Sequence, residues 1–554
     1  MKTHQAVAVG VAMTMAAFLG RSSVSAGADQ ASCESLAALT LPHTSIVSAT
    51  MVPEGPLTGG RGGAAPLVVP ARCVVKAVTR PSGDSEIQFE LWLPVAGWNG
   101  KYQQAGNGGW AGSIPTASLV AGVRRGYSTA GTDDGHQGGE GATWAIGHPE
   151  KLVDFGHRAV HETSAQSKAI IHAFYGRDAS KSYFVGCSDG GREALMEAQR
   201  YPEDFHGIVA GAPANNWSGL MTMAVWIEQA LDAADIPAAK LPAIQTAALS
   251  ACDALDGVKD ALVEDPRACA FDPAAMACTG GDTVQCLTPP QVAALRKIYA
   301  GPKNPRTGAQ IAPGFSPGTE AVPGGWMPWI VPPPSQPGAA QGGGRGSVLS
   351  MFGNSHYGHA VFEDPKWDFR TLNFDTDVAF GIEKTAAILN SNSPDLRSFR
   401  ASGGKLIQYH GWGDAAIPGL SSIDYYDRVR AFLGKYPDAR SDASRPVDGF
   451  YRLFMVPGMG HCGGGTGANM FGNGGRSAAS ATADPDRDVL AALERWVEQG
   501  VAPERIIATG TQTADPSKTM TRPLCPYPQI ARYQGTGDSN TAESFTCAVP
   551  VARR

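Results

Sequence analysis

The chain has 554 residues, of which 43% are hydrophobic and 17% charged, and its net charge is −6. This hydrophobic content excludes a disordered chain, and the length is sufficient for a large core. The acidic balance argues against a general nucleic-acid binder, because such proteins present clustered Lys and Arg. Past the N-terminus there is no run of about 20 apolar residues, so the sequence predicts no membrane span.

The N-terminus has the features of a secretion signal. Lys2 precedes an apolar run over residues 6–19, and Val24-Ser25-Ala26 supplies small residues for cleavage. The alternative is a buried N-terminal helix. We predict a signal peptide over residues 1–26, which places the mature protein in the periplasm or outside the cell.

Elements taken in chain order predict an α/β fold. The glycine- and proline-rich residues 27–80 indicate an irregular segment. Segments with strand patterns (87–93, 183–186, 207–211) then alternate with segments of helical periodicity (158–173, 193–200), which is typical of a parallel sheet.

The character changes between residues 215 and 392. This stretch contains an acidic loop, four cysteines, many aromatic residues and a proline- and glycine-rich run over 331–346. Strand patterns resume at 405–409 and 451–456, and a helix is predicted over 488–499. We interpret 215–392 as an inserted lid, and 27–214 with 393–554 as one discontinuous catalytic domain.

A candidate nucleophile lies in Gly186-Cys187-Ser188-Asp189-Gly190, which fits the G-x-S-x-G pattern of a nucleophile elbow. The pattern alone is weak, and its alternative is an ordinary turn. Here a predicted strand precedes it and a predicted helix follows it, as an α/β-hydrolase fold requires. The sequence therefore favours Ser188 as a nucleophile.

A serine nucleophile needs a base, and in this fold the acid and base follow the serine in chain order. Asp414 and His461 lie in loops that follow the predicted strands 405–409 and 451–456. We predict that His461 takes the serine proton and that Asp414 orients the imidazole. The main competing base is His136, whose position before the serine breaks the expected order.

Backbone N–H groups should bind the developing oxyanion. One is predicted at Asp189, directly after the nucleophile, and the other in the early glycine loop, at Gly108 or Gly109. The sequence does not decide between the two glycines.

An even number of cysteines in an exported chain indicates disulfides. Cys187 and Cys462 flank the predicted nucleophile and base, so these two are expected to be close enough to bond, although buried free thiols are the alternative. The spacing of other cysteines suggests local pairs, and the sequence alone leaves the connectivity open. The ten are Cys33, Cys73, Cys187, Cys252, Cys269, Cys278, Cys286, Cys462, Cys525 and Cys547.

These motifs together resemble the tannase and feruloyl esterase family of α/β-hydrolases. The resemblance rests on Cys187-Ser188, Asp414 and His461-Cys462, on residues 186–214 and on residues 132–136. It departs at His206, where the family usually has aspartate. The resemblance implies five disulfide pairs: Cys187–Cys462, Cys252–Cys269, Cys278–Cys286, Cys525–Cys547 and Cys33–Cys73.

The resemblance also implies a structural calcium ion in the lid. Its ligands would be the carboxylates of Asp253, Asp256 and Asp260 and the backbone carbonyls of Val258 and Leu262. Clustered carboxylates suit a hard cation, although the spacing is not that of an EF-hand. A solvated acidic loop is the alternative.

The resulting hypothesis is a secreted serine esterase that acts on small-molecule esters of aromatic acids, feruloyl or chlorogenate esters first. The family also implies gallate esters or mono-(2-hydroxyethyl) terephthalate as competing substrates. A terephthalate carboxylate would need a cation such as Arg345 or Arg370, and Trp326, Trp329 or Phe352 could stack on an acyl ring. The sequence is also compatible with a peptidase or with a non-catalytic binding protein of the same fold, and it predicts no oligomeric state.

Overall fold

A computed structural model describes residues 31–56, 68–138, 141–332, 346–436, 447–473, 484–512 and 517–550, together with Met1 and Asp515. The predicted signal peptide falls almost entirely on residues outside these ranges and stays a prediction. In the described part of the chain, no helix has both the length and the apolar character needed to cross a bilayer.

The centre of the molecule is a nine-stranded mixed sheet with the strand order β1-β4-β5-β7-β6-β8-β9-β10-β11. In this order, β1, β4, β5 and β7 pair antiparallel, and β7, β6, β8, β9, β10 and β11 pair parallel. The strands are β1 Thr44–Val52, β2 Gly55–Pro56, β3 Val68–Val69, β4 Arg72–Thr79, β5 Ile87–Pro94, β6 Lys101–Ala105, β7 Ser128–Thr132, β8 Lys181–Cys187, β9 Gly207–Gly211, β10 Lys405–Gly411, β11 Tyr451–Val456, β12 Gly467–Met470, β13 Ile506–Thr511, β14 Thr519–Leu524, β15 Ile530–Tyr533 and β16 Phe545–Ala548.

Helices cover the sheet and fill the long connection between β9 and β10. They are α1 Thr116–Arg124, α2 Pro149–Val153, α3 Ala159–Tyr175, α4 Asp189–Arg200, α5 Trp217–Ala233, α6 Leu241–Cys252, α7 Pro289–Ala300, α8 Trp326–Trp329, α9 Val348–Ser355, α10 Thr376–Leu389, α11 Arg397–Ala401, α12 Leu420–Gly434 and α13 Val489–Gln499. Because β6, β8, β9, β10 and β11 are parallel, their carboxyl ends meet at one edge, where ligands bind in such sheets.

The prediction of an irregular segment over residues 27–80 is wrong for its two strands in this sheet. β1 and β4 pair with each other from Thr44 opposite Thr79 to Val52 opposite Arg72. β4 is buried over most of its length on both faces, so it shows no alternation of apolar and polar residues. β1 is the edge strand: none of its residues is buried, and its pairing with β4 has an irregularity between Ile46 and Ser48.

We call residues 212–404, which connect β9 to β10, the insertion. Its described residues add helices but no strand to the central sheet. The insertion has a large apolar core of its own, where α5 packs against α7, α9 and α10. Trp110 and Phe155 of the sheet domain extend into this core. The insertion therefore lies against the edge of the sheet where the parallel strands end.

Candidate active site

Ser188 occupies a sharp turn between β8 and α4. Its backbone is left-handed, with φ +69° and ψ −121°, a conformation that non-glycine residues adopt only where the surroundings enforce it. The flanking glycines make the turn possible, because a Cβ on Gly186 would lie 2.2 Å from the carbonyl oxygen of Gly190. The Ser188 N–H donates to the Gly211 carbonyl at 3.0 Å, which ties the turn to β9.

The structure brings the three predicted triad residues together across long stretches of chain. His461 Nε2 lies 2.8 Å from Ser188 Oγ, and His461 Nδ1 lies 2.8 Å from Asp414 Oδ2. Asp414 follows β10 and His461 follows β11, so the parallel register of neighbouring strands places both loops beside the turn at Ser188. This geometry allows proton transfer from the hydroxyl to an imidazole oriented by a carboxylate.

Asp414 is buried, and its carboxylate is surrounded by donors. Oδ1 accepts from the backbone N–H groups of Ala416 at 2.8 Å and Ile417 at 2.9 Å. Burial by itself raises the pKa of Asp414, but the charge of His461 and hydrogen bonds from His410 and His461 outweigh it. The pKa of Asp414 is therefore held well below its usual range.

A disulfide joins the loops of the nucleophile and the base. Cys187 and Cys462 are bonded with a Cα–Cα distance of 5.9 Å, and they are 275 residues apart in sequence. Each is the immediate neighbour of Ser188 or His461, so the bond limits the separation of the Ser188 and His461 side chains. The other pairs that the resemblance implied are also bonded: Cys33–Cys73, Cys252–Cys269, Cys278–Cys286 and Cys525–Cys547.

The predicted oxyanion donors lie around the same cavity. Asp189 is the first residue of α4, where backbone N–H groups have no partner inside the helix. Gly108 and Gly109 line the cavity from the loop after β6. This loop is fixed to α4 because the Gly190 N–H donates to the Asn107 carbonyl at 3.0 Å.

The cavity beside Ser188 has a volume of about 700 Å³ and mostly apolar walls. Trp329 and Phe352 of the insertion both contribute to it. The Trp329 ring lies 5.0 Å from the His461 ring, edge to face, and Phe352 lies against Gly109. Other apolar residues in the wall are Leu220, Met221, Ala224, Val348, Leu349, Met351 and Ile417.

Several other candidates lie away from this cavity. Trp326 is fully buried in the core of the insertion and is absent from the wall, so it is not available for stacking on a substrate. His136 is buried, stacks on Trp144 at 4.0 Å and has its pKa lowered to about 4 by burial. Arg370 is exposed and paired with Asp232 and Asp368. His206 accepts from the Ser182 N–H, and Arg345 lies outside the described residues.

The acidic loop of the insertion holds the residues predicted to bind calcium. Burial, reinforced by the charge of Asp260, raises the pKa of Asp256 to about 6, and the same charge acts on Asp253. All-oxygen donors under mutual repulsion suit a hard cation. Asp260 also pairs with Arg522 at 2.6 Å. The three aspartates do not bring one oxygen each within 4.8 Å of the others.

The acidic loop also contacts the loop that carries His461. A Cβ on Gly458 would lie 2.6 Å from Leu262 Cδ2, and a Cβ on Gly467 would lie 2.9 Å from Leu262 Cδ1. Leu262 thus packs on the backbone at both ends of the turn that presents His461. The acidic loop and the loop that carries His461 are therefore in direct contact.

Two sets of buried polar side chains near the triad were not predicted: a single histidine and a cluster of three acids. His410 lies four residues before Asp414, with Nε2 3.3 Å from Asp414 Oδ2. Asp134, Asp189 and Glu193 each place one carboxylate oxygen within 4.8 Å of the others beneath the glycine loop. Sequence signals for both existed in His410-Gly-Trp-Gly-Asp414 and in Asp133-Asp134, but only the fold shows which partners these residues meet.

Comparisons with known proteins agree with this site. The family described as "Tannase and feruloyl esterase" matches residues 73–548. An uncharacterized esterase of Xanthomonas campestris pv. campestris is 45% identical over 93% of this chain and 91% of its own length. A mono(2-hydroxyethyl) terephthalate hydrolase of Piscinibacter sakaiensis is 35% identical over 87% of this chain and 85% of its own.

A solved structure extends the agreement to the fold. Feruloyl esterase B from Aspergillus oryzae superposes with a TM-score of 0.82 at 28% identity, covering 93% of this chain and 99% of that one. The predicted α/β-hydrolase fold is confirmed by this match and by the mixed sheet with its helices. The chain therefore belongs to the tannase and feruloyl esterase family, and it is a carboxylic ester hydrolase.

Proposed function

We propose that this protein is an exported serine esterase that hydrolyses esters of uncharged aromatic acids, feruloyl-type esters first. The observation that carries the proposal is the cavity beside Ser188. Aromatic and aliphatic side chains form most of its wall, and the described residues of the wall include no Lys or Arg. A flat apolar acyl group gains free energy from burial there, and Trp329 and Phe352 are placed to contact its ring.

The acylation step follows from the triad geometry. Ser188 Oγ attacks the ester carbonyl carbon while His461 Nε2 takes the hydroxyl proton. The carbonyl oxygen becomes an oxyanion, which the Asp189 N–H and one N–H of the Gly108–Gly109 loop would stabilise. Protonated His461 then gives its proton to the leaving alcohol, and the C–O bond breaks to leave an acyl-Ser188.

Deacylation repeats the cycle with water. His461 accepts a proton from a water molecule as that water attacks the acyl carbon, and the proton then returns to Ser188 Oγ as the acid leaves. The Asp414 carboxylate stabilises the imidazolium in both steps. Its depressed pKa keeps Asp414 charged at neutral pH.

A second candidate substrate is mono(2-hydroxyethyl) terephthalate, which the 35% identity to the Piscinibacter sakaiensis hydrolase favours. That substrate carries a free carboxylate, which a buried site tolerates only when it is paired. Arg370 is committed to two aspartates away from the cavity. The described wall therefore favours a neutral acyl group over terephthalate, and gallate esters are a third candidate class that the family implies.

A substrate panel tests the proposal. Purified protein and Ser188→Ala are compared on methyl ferulate, chlorogenate, methyl gallate and mono-(2-hydroxyethyl) terephthalate, and both are treated with a fluorophosphonate probe. We expect methyl ferulate or chlorogenate to give the highest kcat/KM, and Ser188→Ala to lose about 10⁴–10⁶-fold in kcat together with probe labelling. Turnover retained by Ser188→Ala would exclude the serine mechanism, and preference for the terephthalate would overturn the neutral substrate class.

Phe352→Ala tests the contact with the acyl group. We expect kcat/KM for methyl ferulate to fall about 3–10-fold, the value of one aromatic contact, while kcat/KM for an acetate ester changes less. Phe380→Ala is the matched control, because Phe380 is also a phenylalanine of the insertion but is exposed and absent from the cavity wall. Equal losses on both esters would contradict a role in acyl recognition.

We also propose a structural Ca²⁺ at the acidic loop, held by the carboxylates of Asp253, Asp256 and Asp260 and by the carbonyls of Val258 and Leu262. When bound, the ion would neutralise the repulsion among the aspartates. Through Leu262 this would hold the backbone around His461. No residue of the loop takes part in proton transfer, so the ion's effect is on stability.

Chelation tests the calcium proposal without measuring turnover. An excess of EDTA should lower Tm by several degrees, since an ion at 100-fold its Kd contributes about 2.7 kcal/mol, and added Ca²⁺ should restore it. Asp256→Asn should abolish this response. Asp272→Asn, a surface aspartate of the insertion paired with Arg296, should keep it. If neither EDTA nor Ca²⁺ changes the Tm of the wild type, the site is excluded.

Export is supported by the five disulfides, which persist in oxidising compartments. The predicted signal peptide agrees with this. Mass spectrometry of the mature protein checks it: cleavage after Ala26 gives a chain that starts at Gly27, and a retained N-terminus would contradict the prediction.

A further inference from the structure

A second buried histidine faces the triad aspartate. His410 lies near the end of β10 and is fully buried. Its Nε2 is 3.0 Å from the Ile417 carbonyl oxygen and 3.3 Å from Asp414 Oδ2. Asp414 Oδ2 is also the oxygen that is hydrogen-bonded to His461 Nδ1. The proposed mechanism does not use this imidazole.

The other nitrogen of His410 ends a chain of buried hydrogen bonds. His410 Nδ1 lies 2.7 Å from Ser422 Oγ, and Gln408 Nε2 donates to the same hydroxyl oxygen at 2.6 Å. The Tyr451 hydroxyl donates in turn to Gln408 Oε1. Tyr451, Gln408, Ser422 and His410 are all fully buried, so water does not substitute for any of these partners.

This chain of hydrogen bonds favours one tautomer of His410. Ser422 Oγ accepts from Gln408, and its single proton remains available for His410 Nδ1. At the opposite side of the ring, Nε2 faces two oxygen acceptors, Ile417 O and Asp414 Oδ2. An unprotonated Nε2 would be a buried acceptor facing other acceptors, which is unfavourable. An imidazole protonated on Nε2, with Nδ1 accepting from Ser422, satisfies both sides of the ring.

We infer that His410 is a positioning residue for the triad: its Nε2–H is shared between the Ile417 carbonyl oxygen at 3.0 Å and Asp414 Oδ2 at 3.3 Å, and so gives Asp414 a second imidazole contact. With the two backbone donors on Oδ1, this contact fixes the rotation of the carboxylate so that Oδ2 points at His461. It also shares the negative charge of the carboxylate between two imidazoles. The chain from Tyr451 serves to hold His410 in the donating tautomer.

This inference rests on the proposed serine mechanism, and it predicts a specific pattern of losses. His410→Leu removes the donor, and we expect kcat to fall about 10–100-fold, as for a small misplacement of a reacting group, with KM nearly unchanged. Removal of the donor leaves more negative charge facing His461. The imidazolium is then better stabilised, and the acid limb of the kcat/KM–pH profile moves to higher pH.

Two further variants separate positioning from packing. His410→Gln keeps an amide N–H where Nε2–H was, so it should recover most of kcat and return the acid limb towards that of the wild type. Ser422→Ala removes the donor to Nδ1 and should cost less than His410→Leu. His356→Leu is the matched control, since His356 is a fully buried imidazole of the insertion without a side-chain hydrogen-bond partner among the described residues. We expect it to keep kcat within about twofold, as for a change outside the reacting groups.

The tautomer can also be measured directly in the wild type. In ¹⁵N NMR of the imidazoles, with His410→Gln used for assignment, His410 should show a protonated Nε2 and an unprotonated Nδ1. Protonation on Nδ1, an imidazolium, or loss of kcat in His410→Gln as large as in His410→Leu would overturn the inference. Turnover retained by Ser188→Ala would instead overturn the serine mechanism, so the two failures are distinguishable.

Discussion

Two groups of buried carboxylates flank Ser188, and they behave in opposite ways. On one side is Asp414, which faces four donors: two backbone N–H groups and two imidazoles. On the other side, beneath the glycine loop, Asp134, Asp189 and Glu193 crowd together with Arg192 as the one cation paired within the group. We call these three acids the acidic trio.

Burial raises the carboxylate pKa at both places, so the difference arises from the neighbours. For Asp414 the donors outweigh burial and its pKa falls. In the acidic trio, burial and the charge of Asp189 raise the pKa of Glu193 to about 7, and burial with the charge of Glu193 raises that of Asp134 far above its usual range. The donors thus favour the charged form of Asp414, whereas burial and like charges favour the protonated forms of Glu193 and Asp134.

The acidic trio is hydrogen-bonded to Asn107, which precedes Gly108 and Gly109 in the glycine loop. The Asn107 N–H donates to Glu193 Oε2 at 3.1 Å, and Asn107 Nδ2 donates to Asp134 Oδ2 at 3.0 Å. These two acids therefore hold Asn107, the residue that precedes the two glycines of the loop. Burial alone therefore does not decide whether an acid in this site is charged. The number of hydrogen-bond donors and of like charges around the acid decides it.

The largest effect on kcat is expected from removal of the negative charge of Asp414. Asp414→Asn should keep the fold but lower kcat about 10⁴-fold, because the amide favours the wrong imidazole tautomer and cannot stabilise the imidazolium. Steady-state kinetics on the best ester of the panel measure this. Asp424→Asn, an exposed aspartate of α12, is the control and should keep kcat. A loss below about tenfold for Asp414→Asn would remove it from the triad.

The next effect concerns the cation of the acidic trio. Arg192 is fully buried, pairs with Asp189 and donates to the carbonyls of Phe155 and Gly156. Arg192→Met leaves the Asp189 carboxylate and two carbonyls without that partner, so the free energy of unfolding should fall by about 3–5 kcal/mol. Urea unfolding measures it, and Arg397→Met, an exposed ion-pair arginine, should leave stability close to that of the wild type. Equal stability of both variants would show that Arg192 does not hold the trio.

The sequence was sufficient to predict Asp414 and the rest of the triad, but it was not sufficient to predict the acidic trio. Ser188, Asp414 and His461 could be placed because each follows a recognisable strand in a fixed chain order. Asp134 and Glu193 are 59 residues apart on different elements, and neither belongs to a motif that names its partner. Their meeting depends on the packing of α4 against the loops after β6 and β7, which no local pattern records.

The same distinction holds for the fold and the cavity. Strands with alternating or uniformly apolar patterns were predicted, whereas β1 and β4 were missed because a long glycine- and proline-rich stretch surrounds them. Trp326 and Trp329 lie three residues apart and look equivalent in sequence. Only the tertiary structure shows that Trp326 is core and that Trp329 lines the cavity.

The smallest effect is a pH dependence of stability. The pKa of Glu193 is raised to about 7 when folded, so the folded state binds more protons than the unfolded state between about pH 4.5 and pH 7. The free energy of unfolding should therefore fall as pH rises through this window and level off above it.

Glu193→Gln keeps an oxygen for the Asn107 N–H but has no proton to lose. Urea unfolding at pH 5 and pH 8 should show a fall about 1–3 kcal/mol smaller in Glu193→Gln than in the wild type. Glu34→Gln, an exposed control, should follow the wild type. If Glu193→Gln shows the full fall, the retained proton is not on Glu193, and the contrast with Asp414 would have to be assigned to Asp134 instead.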